Sequence, residues 1–189
     1  MSSVDVCVIG LYFGAPASVM TLGMLIAAGI HCFLAVGEAD AIHPSLKIGD
    51  ALLPSWGLRE EGTGYHYMPA NHVPTPSRYL FAKLKGNVKR LKGRKRIKVA
   101  VGGVWSTELL SEKRAIRPGS TPKEVLGVDK ESTALMCVAE YRGVELAVAP
   151  AISDELYGER WVPGFKLRKL MRTEALLVKA ALKTLTECA

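Results

Sequence analysis

The chain has 189 residues, 49% hydrophobic and 23% charged, and its 25 Lys and Arg against 18 Asp and Glu give a formal charge of +7. This composition supplies a sizeable core and excludes a disordered chain. The cysteines (Cys7, Cys32, Cys137, Cys188) show no metal-ligand spacing and the histidines (His31, His43, His66, His72) form no cluster, so no metal is expected.

Residues 4–9, VDVCVI, alternate and predict a strand. Gly10 and Gly14 bracket a loop, Pro16 suits a first helical turn, and a helix is expected to about Ala28 with Gly29 after its end. Residues 32–36 predict a second buried strand, which with the first makes a right-handed βαβ unit and a parallel pair. The apolar run 20–37 is long enough to raise a membrane span, but Gly23, Gly29 and His31 divide it into a helix and a strand of a soluble core. Residues 46–54 read as a turn into a third strand. The Gly-, Pro-, His- and Tyr-rich loop at 55–76 is long enough to be functional.

A helix over about 76–85 leads into the basic run 83–98, KLKGNVKRLKGRKRIK, which has no interleaved aromatics and is expected to be a solvated helix and loop rather than a nucleic-acid patch. Residues 97–101 predict a fourth strand, and 117–123 an exposed loop. Ser132 to Ala139 reads as a buried helix opened by Glu131, and 144–152 as an interior strand with Asp154 just past its end. A C-terminal helix spans about 166–186, with Leu167, Leu170, Met171, Leu177, Val178, Ala181, Leu182 and Leu185 at a 3.6-residue period. The class is α/β, a mostly parallel or mixed central sheet flanked by helices, and no repeat or domain boundary interrupts residues 1–189. A basic leader is missing from Met1 to Asp5, and three cysteines lie in apolar runs, so a reducing cytoplasm is expected.

Two acids stand where α/β folds usually keep their chemistry: Glu131 at a helix N-terminus and Asp154 at the C-terminal end of a strand. Acids in these settings also serve as caps and loop starters. Four motifs decide between the readings. Gly49-Asp50, the segment 59–67 (REEGTGYHY), the segment 127–135 (GVDKESTAL) with Ala139 to Val144, and Ile152-Ser153-Asp154 followed by Trp161 resemble, in the same order, the nucleoside phosphorylase and uridine phosphorylase family. The resemblance runs from about residue 8 to 165 and implies a nucleoside phosphorylase-like single domain without the family's first strands.

It further implies that Glu131 binds the ribose hydroxyls, that Asp154 is the general acid toward N7 of a purine, and that Ser153 orients it. Family members using uracil generally lack this Ser-Asp, which tilts the expectation to a purine nucleoside. Lys130 stands where the family has Met, beside the ribose subsite. Tyr65 and His66 lie in the family's sugar- and base-lining loop, where they either stack on a base or pack and cap the loop. Thr107 lies in a segment near the base, and Arg59 is either a phosphate ligand or a surface salt bridge. Ala35, Glu38 and Asp40 replace the family's phosphate-clasping Arg, hydroxyl and Gly, so phosphate as a co-substrate is doubtful and no other cofactor is expected. The expected partners are a nucleoside and further copies of the chain, with residues 65–72 near the interface. No membrane or nucleic-acid partner is expected. Water as nucleophile and a non-catalytic nucleoside-binding paralogue remain the alternatives.

Overall fold

The computed structural model of the chain describes residues 5–10, 13–93, 96–108 and 124–188. Five longer strands form a mixed sheet: β1 (Cys32–Ala41), β2 (Ala51–Arg59), β3 (Val99–Ser106), β4 (Val125–Asp129) and β5 (Glu145–Glu155). The two-residue β6 (Val162–Pro163) adds to β5. The order is β1-β4-β3-β2-β5-β6, and β1 also pairs with β5, so the sheet curls back on itself. The β1–β5, β2–β3 and β3–β4 pairs are parallel, whereas β1–β4 and β2–β5 are short antiparallel contacts.

Side-chain alternation along β5 assigns its two faces. Leu146, Val148 and Ile152 join the core under α1 (Ala15–Ala27) and α3 (Ser132–Arg142). Ala147, Ala149 and Ala151 join a second core under α2 (Arg78–Lys92) and α4 (Arg168–Cys188). A strand covered on both faces reads as an unbroken apolar run, which is why β5 stood out in the sequence. Pro54 in β2 falls at a register shift between Pro54 and Trp56, where the missing N–H costs the ladder least. Gly143 ends α3 at φ 66°.

Several boundaries differ from the sequence reading. Residues 5–10 form no regular structure, so the parallel pair expected between 4–9 and 32–36 is not made among the described residues; β1 takes β5 as its parallel neighbour. Alternation marks a segment that can lie on a sheet, but only a ladder partner makes it a strand. Beyond Asp40 and Ala41, which meet β4, the outer edge of β1 has no neighbour among the described residues. β4 was missed because five residues of mixed character carry almost no periodic signal. β2 runs on through Arg59 and takes the first part of the supposed 55–76 loop, the rest of which holds a 3-10 turn, Thr63–His66. β3 continues to Ser106. Asp154 lies inside β5 rather than past it.

In α4, Leu170, Leu177 and Ala181 are buried as expected, but Met171, Val178 and Leu182 of the same periodic set face outward. The basic run from Lys83 occupies most of α2, which buries Leu84, Asn87 and Val88 and leaves its lysines and Arg90 largely to solvent. Residues 117–123 lie outside the described residues. Among the described residues no helix is long and apolar enough to cross a membrane, and no group of three or more His, Cys, Asp or Glu is placed to hold a metal.

Candidate active site

The site is organised by the C-terminal ends of β4, β1 and β5. β4 ends at Asp129, which is buried and receives hydrogen bonds from the Ser106 hydroxyl (2.5 Å), the Ser132 hydroxyl and the Ser132 N–H (3.3 Å). Burial pushes the Asp129 carboxyl up to about 6, while the two serines and the Ser132 amide pull the other way. Through the Ser132 N–H, Asp129 caps α3, a role for which the sequence reading offered Glu131, whose side chain makes no cap bond; an acid three places before Ser132 was the available signal.

With the cap supplied by Asp129, the Glu131 carboxylate is not needed by its own helix. Its Oε1 accepts the Gly14 N–H at 2.6 Å and its Oε2 the Lys130 N–H at 3.2 Å. Gly14 sits at φ 90°, a conformation that glycine adopts without strain and that aims its N–H across the gap from α1 to α3. The Lys130 ammonium lies 4.7 Å from the centre of the Phe13 ring.

The third strand end carries Ser153 and Asp154, 1% and 2% exposed. The Ser153 hydroxyl donates to Asp154 Oδ1 at 2.6 Å, and Trp161 Nε1–H donates to Oδ2 at 2.5 Å. Asp40 of β1 is the register partner of Asp154 and shares a side-chain hydrogen bond with it. Burial pushes the Asp40 carboxyl up to about 9, helped by that bond and by the charges of Asp154, Asp129 and Glu38. Glu38 rises to about 7 through burial and its bond to Glu174 of α4, opposed by Ser153. The roles of Asp40, Trp161 and Glu174 as neighbours of these acids were not foreseen, because a parallel pairing between strands more than a hundred residues apart leaves no local pattern.

These groups open on one cavity of about 1370 Å³, lined by Glu38, Asp40, Asp129, Glu131 and Asp154 among others. Lys130 is the one Lys or Arg in the described lining. The structure thus brings Glu131, Lys130, Ser153 and Asp154 to a common space. Ala35, Glu38 and Asp40 line it too. It does not bring Tyr65, His66, Thr107 or Arg59 there.

Arg59 is 8% exposed, so it is no surface salt bridge. Its Nη1 donates to the carbonyls of Gly64 (3.0 Å) and Met68 (3.2 Å), and its Nη2 to that of Pro69. Those bonds engage both terminal nitrogens of the guanidinium, and the buried Nε alone has no partner among the described residues. Tyr65 stacks under Arg59 at 4.1 Å and donates its hydroxyl to the Arg59 carbonyl, so it packs the loop, while His66 is exposed in the 3-10 turn. Buried Glu61, also unforeseen, accepts the Gly64 N–H (2.7 Å) and the Thr133 hydroxyl (3.0 Å), which ties the same loop to α3. Thr107 is buried behind the site, its N–H on the Asp129 carbonyl at 3.0 Å.

Residues 2–183 match the model of the Phosphorylase superfamily. The chain belongs to that superfamily. Curated relatives by sequence include the uridine phosphorylase of Haemophilus influenzae, 32% identical over 87 residues, a stretch covering 43% of this chain and 34% of the relative. The uridine phosphorylase of Thermococcus kodakarensis is 32% identical over 65 residues, covering 34% and 24%. The matched stretches therefore span about a third of these relatives or less. Among solved structures, the fold resembles purine nucleoside phosphorylase from Toxoplasma gondii in complex with immucillin-H, with TM-score 0.79 at 17% identity, covering 93% of this chain and 71% of that one. The superfamily member described here therefore has the nucleoside phosphorylase fold, and the sequence and structure relatives differ in the base they are named for.

Proposed function

We propose that the protein acts on the N-glycosidic bond of a purine nucleoside. The observation carrying this reading is the buried Ser153–Asp154 pair, which opens on the same cavity as Glu131. Cleaving that bond builds positive charge on the ribose and negative charge on the leaving base. Glu131 is the group for the ribose: an ionised carboxylate accepts two vicinal hydroxyls and favours the cationic sugar. Asp154 stands at the base end, where a carboxyl proton delivered to N7 neutralises the leaving group. The relatives named for uridine leave the base open, and the Ser-Asp pair is the reason for preferring a purine.

A second reading concerns the nucleophile. Glu38 and Asp40 line the cavity, Ala35 offers no cation, and Arg59 is engaged elsewhere. Charge-assisted bonds to phosphate are worth about 1.5–3 kcal/mol each, so losing two or three weakens phosphate by roughly two orders of magnitude or more. Water is then the attacking group. Calorimetric titration with inosine, uridine and inorganic phosphate tests both points. Inosine is expected to bind and phosphate to give no heat at millimolar concentration. Preference for uridine, or tight phosphate, would refute the corresponding point.

A further inference from the structure

We infer that Asp40 is the proton store of the site: Asp40 and Asp154 hold one proton between them, it rests on Asp40, and Asp154 passes it to the leaving base. This builds on the nucleoside reading above. Asp40 is a positioning residue that acts through Asp154.

The geometry fixes where the proton rests. Asp154 accepts from Ser153 on Oδ1 and from Trp161 on Oδ2, so each oxygen already faces a donor. Its remaining bond joins Asp40 across the β1–β5 ladder, beside the register shift at Ala39/Asp40. Two carboxylates in contact disfavour double ionisation in a buried setting, and Asp40, which has no other hydrogen-bond donor among the described residues, keeps the proton. The other charges around Asp40 push the same way: Glu38 on its own strand, Asp129 from β4, and Glu174 of α4 through Glu38. Lys130 and Glu131 lie farther along the cavity wall and are held by Phe13 and Gly14.

The proton inventory closes. As the C1′–N bond breaks, its electron pair leaves with the base. Asp154 takes the Asp40 proton and gives one proton to the base nitrogen, and the doubly ionised pair this leaves, disfavoured where it is buried, is transient. When water forms the new C1′–O bond, the proton it loses recharges the pair. No further acid or oxidant enters.

The test uses the whole protein, by infrared spectroscopy at about pH 8, between the values near 7 for Glu38 and near 9 for Asp40. A protonated-carboxyl C=O band is expected in the wild type and in Glu38→Gln, absent in Asp40→Asn, and lost from the wild type as the pH passes about 9. No band at pH 8, or a band that survives Asp40→Asn, overturns the inference. With inosine, Asp40→Asn should keep nucleoside affinity and lose kcat by about 10²-fold or more, and Asp40→Glu should regain part of it. An unchanged kcat and pH profile in Asp40→Asn overturns the delivery step. A wild type with the band but without turnover refutes delivery and the nucleoside reading together, and the band alone still locates the proton.

Discussion

Asp154 and Glu131 divide the expected work, so their substitutions should fail differently. Asp154→Asn keeps the shape and one acceptor oxygen for Trp161 but turns the other position into a donor and holds no transferable proton; kcat on inosine should fall by about 10²–10⁴ with affinity little changed. Glu131→Gln should instead weaken nucleoside binding, by roughly tenfold or more for a lost charge-assisted pair of bonds, as read by calorimetry. If both variants lose affinity alike, the assignment of ribose and base ends is wrong. At this scale Glu131, Ser153 and Asp154 could be picked out because each belongs to a contiguous motif, and folding brings all three to one cavity. The sequence reading misjudged Arg59, since nothing in a linear loop says that an Arg will be surrounded by that loop's own carbonyls, and it left Tyr65 open between stacking on a base and packing the loop, of which the structure shows the packing. It also gave Glu38 and Asp40 only a negative role, as spoilers of phosphate, while folding sets Asp40 against Asp154.

The elements behind the site are α3 and the 60–77 loop. Removing the α3 cap in Asp129→Ala also orphans the Ser106 and Ser132 hydroxyls, which suggests a loss of about 1–3 kcal/mol in chemical denaturation. An unchanged midpoint would mean the cap bond contributes nothing. The loop depends on Arg59, Glu61 and Gly64. A methyl group on Gly64 would lie 2.6 Å from Glu61 Oε1 and 2.9 Å from Arg59 Cδ. Gly64→Ala should therefore loosen the loop, raising amide exchange at 64–69 while β5 stays protected. The helices and β5 were legible because their burial repeats at 3.6 or fills both faces. β4 and the edge at residues 4–9 were not, because their fate rests on distant partners. The outward stripe Met171, Val178 and Leu182 of α4 shows the same limit: periodicity finds an apolar face, and only packing decides what covers it.

For the whole molecule, the raised acids link stability to pH. The folded form holds protons on Glu38 and Asp40 that an unfolded chain, with ordinary carboxyls near 4, has already released by neutral pH. The unfolded state then binds fewer protons, so stability falls as the pH rises through about 7 and on to about 9. The melting temperature should drop over that window, and Asp40→Asn should flatten its upper part; a flat wild-type profile would count against protonated carboxyls in the fold. The edge of β1, unpaired beyond Asp40 and Ala41 among the described residues, and the exposed Phe13, Met20 and Met24 favour the expected self-association, which light scattering at micromolar concentration reads directly. The fold class was legible at this scale from alternating helix and strand signals, while the curl that returns β1 to β5 was not, since pairing order is written in no single segment. The most direct measurement is base release from inosine and from uridine, each with and without phosphate. Hypoxanthine is expected from inosine at a rate independent of phosphate. Release from uridine alone, or no release from inosine under either condition, would contradict it.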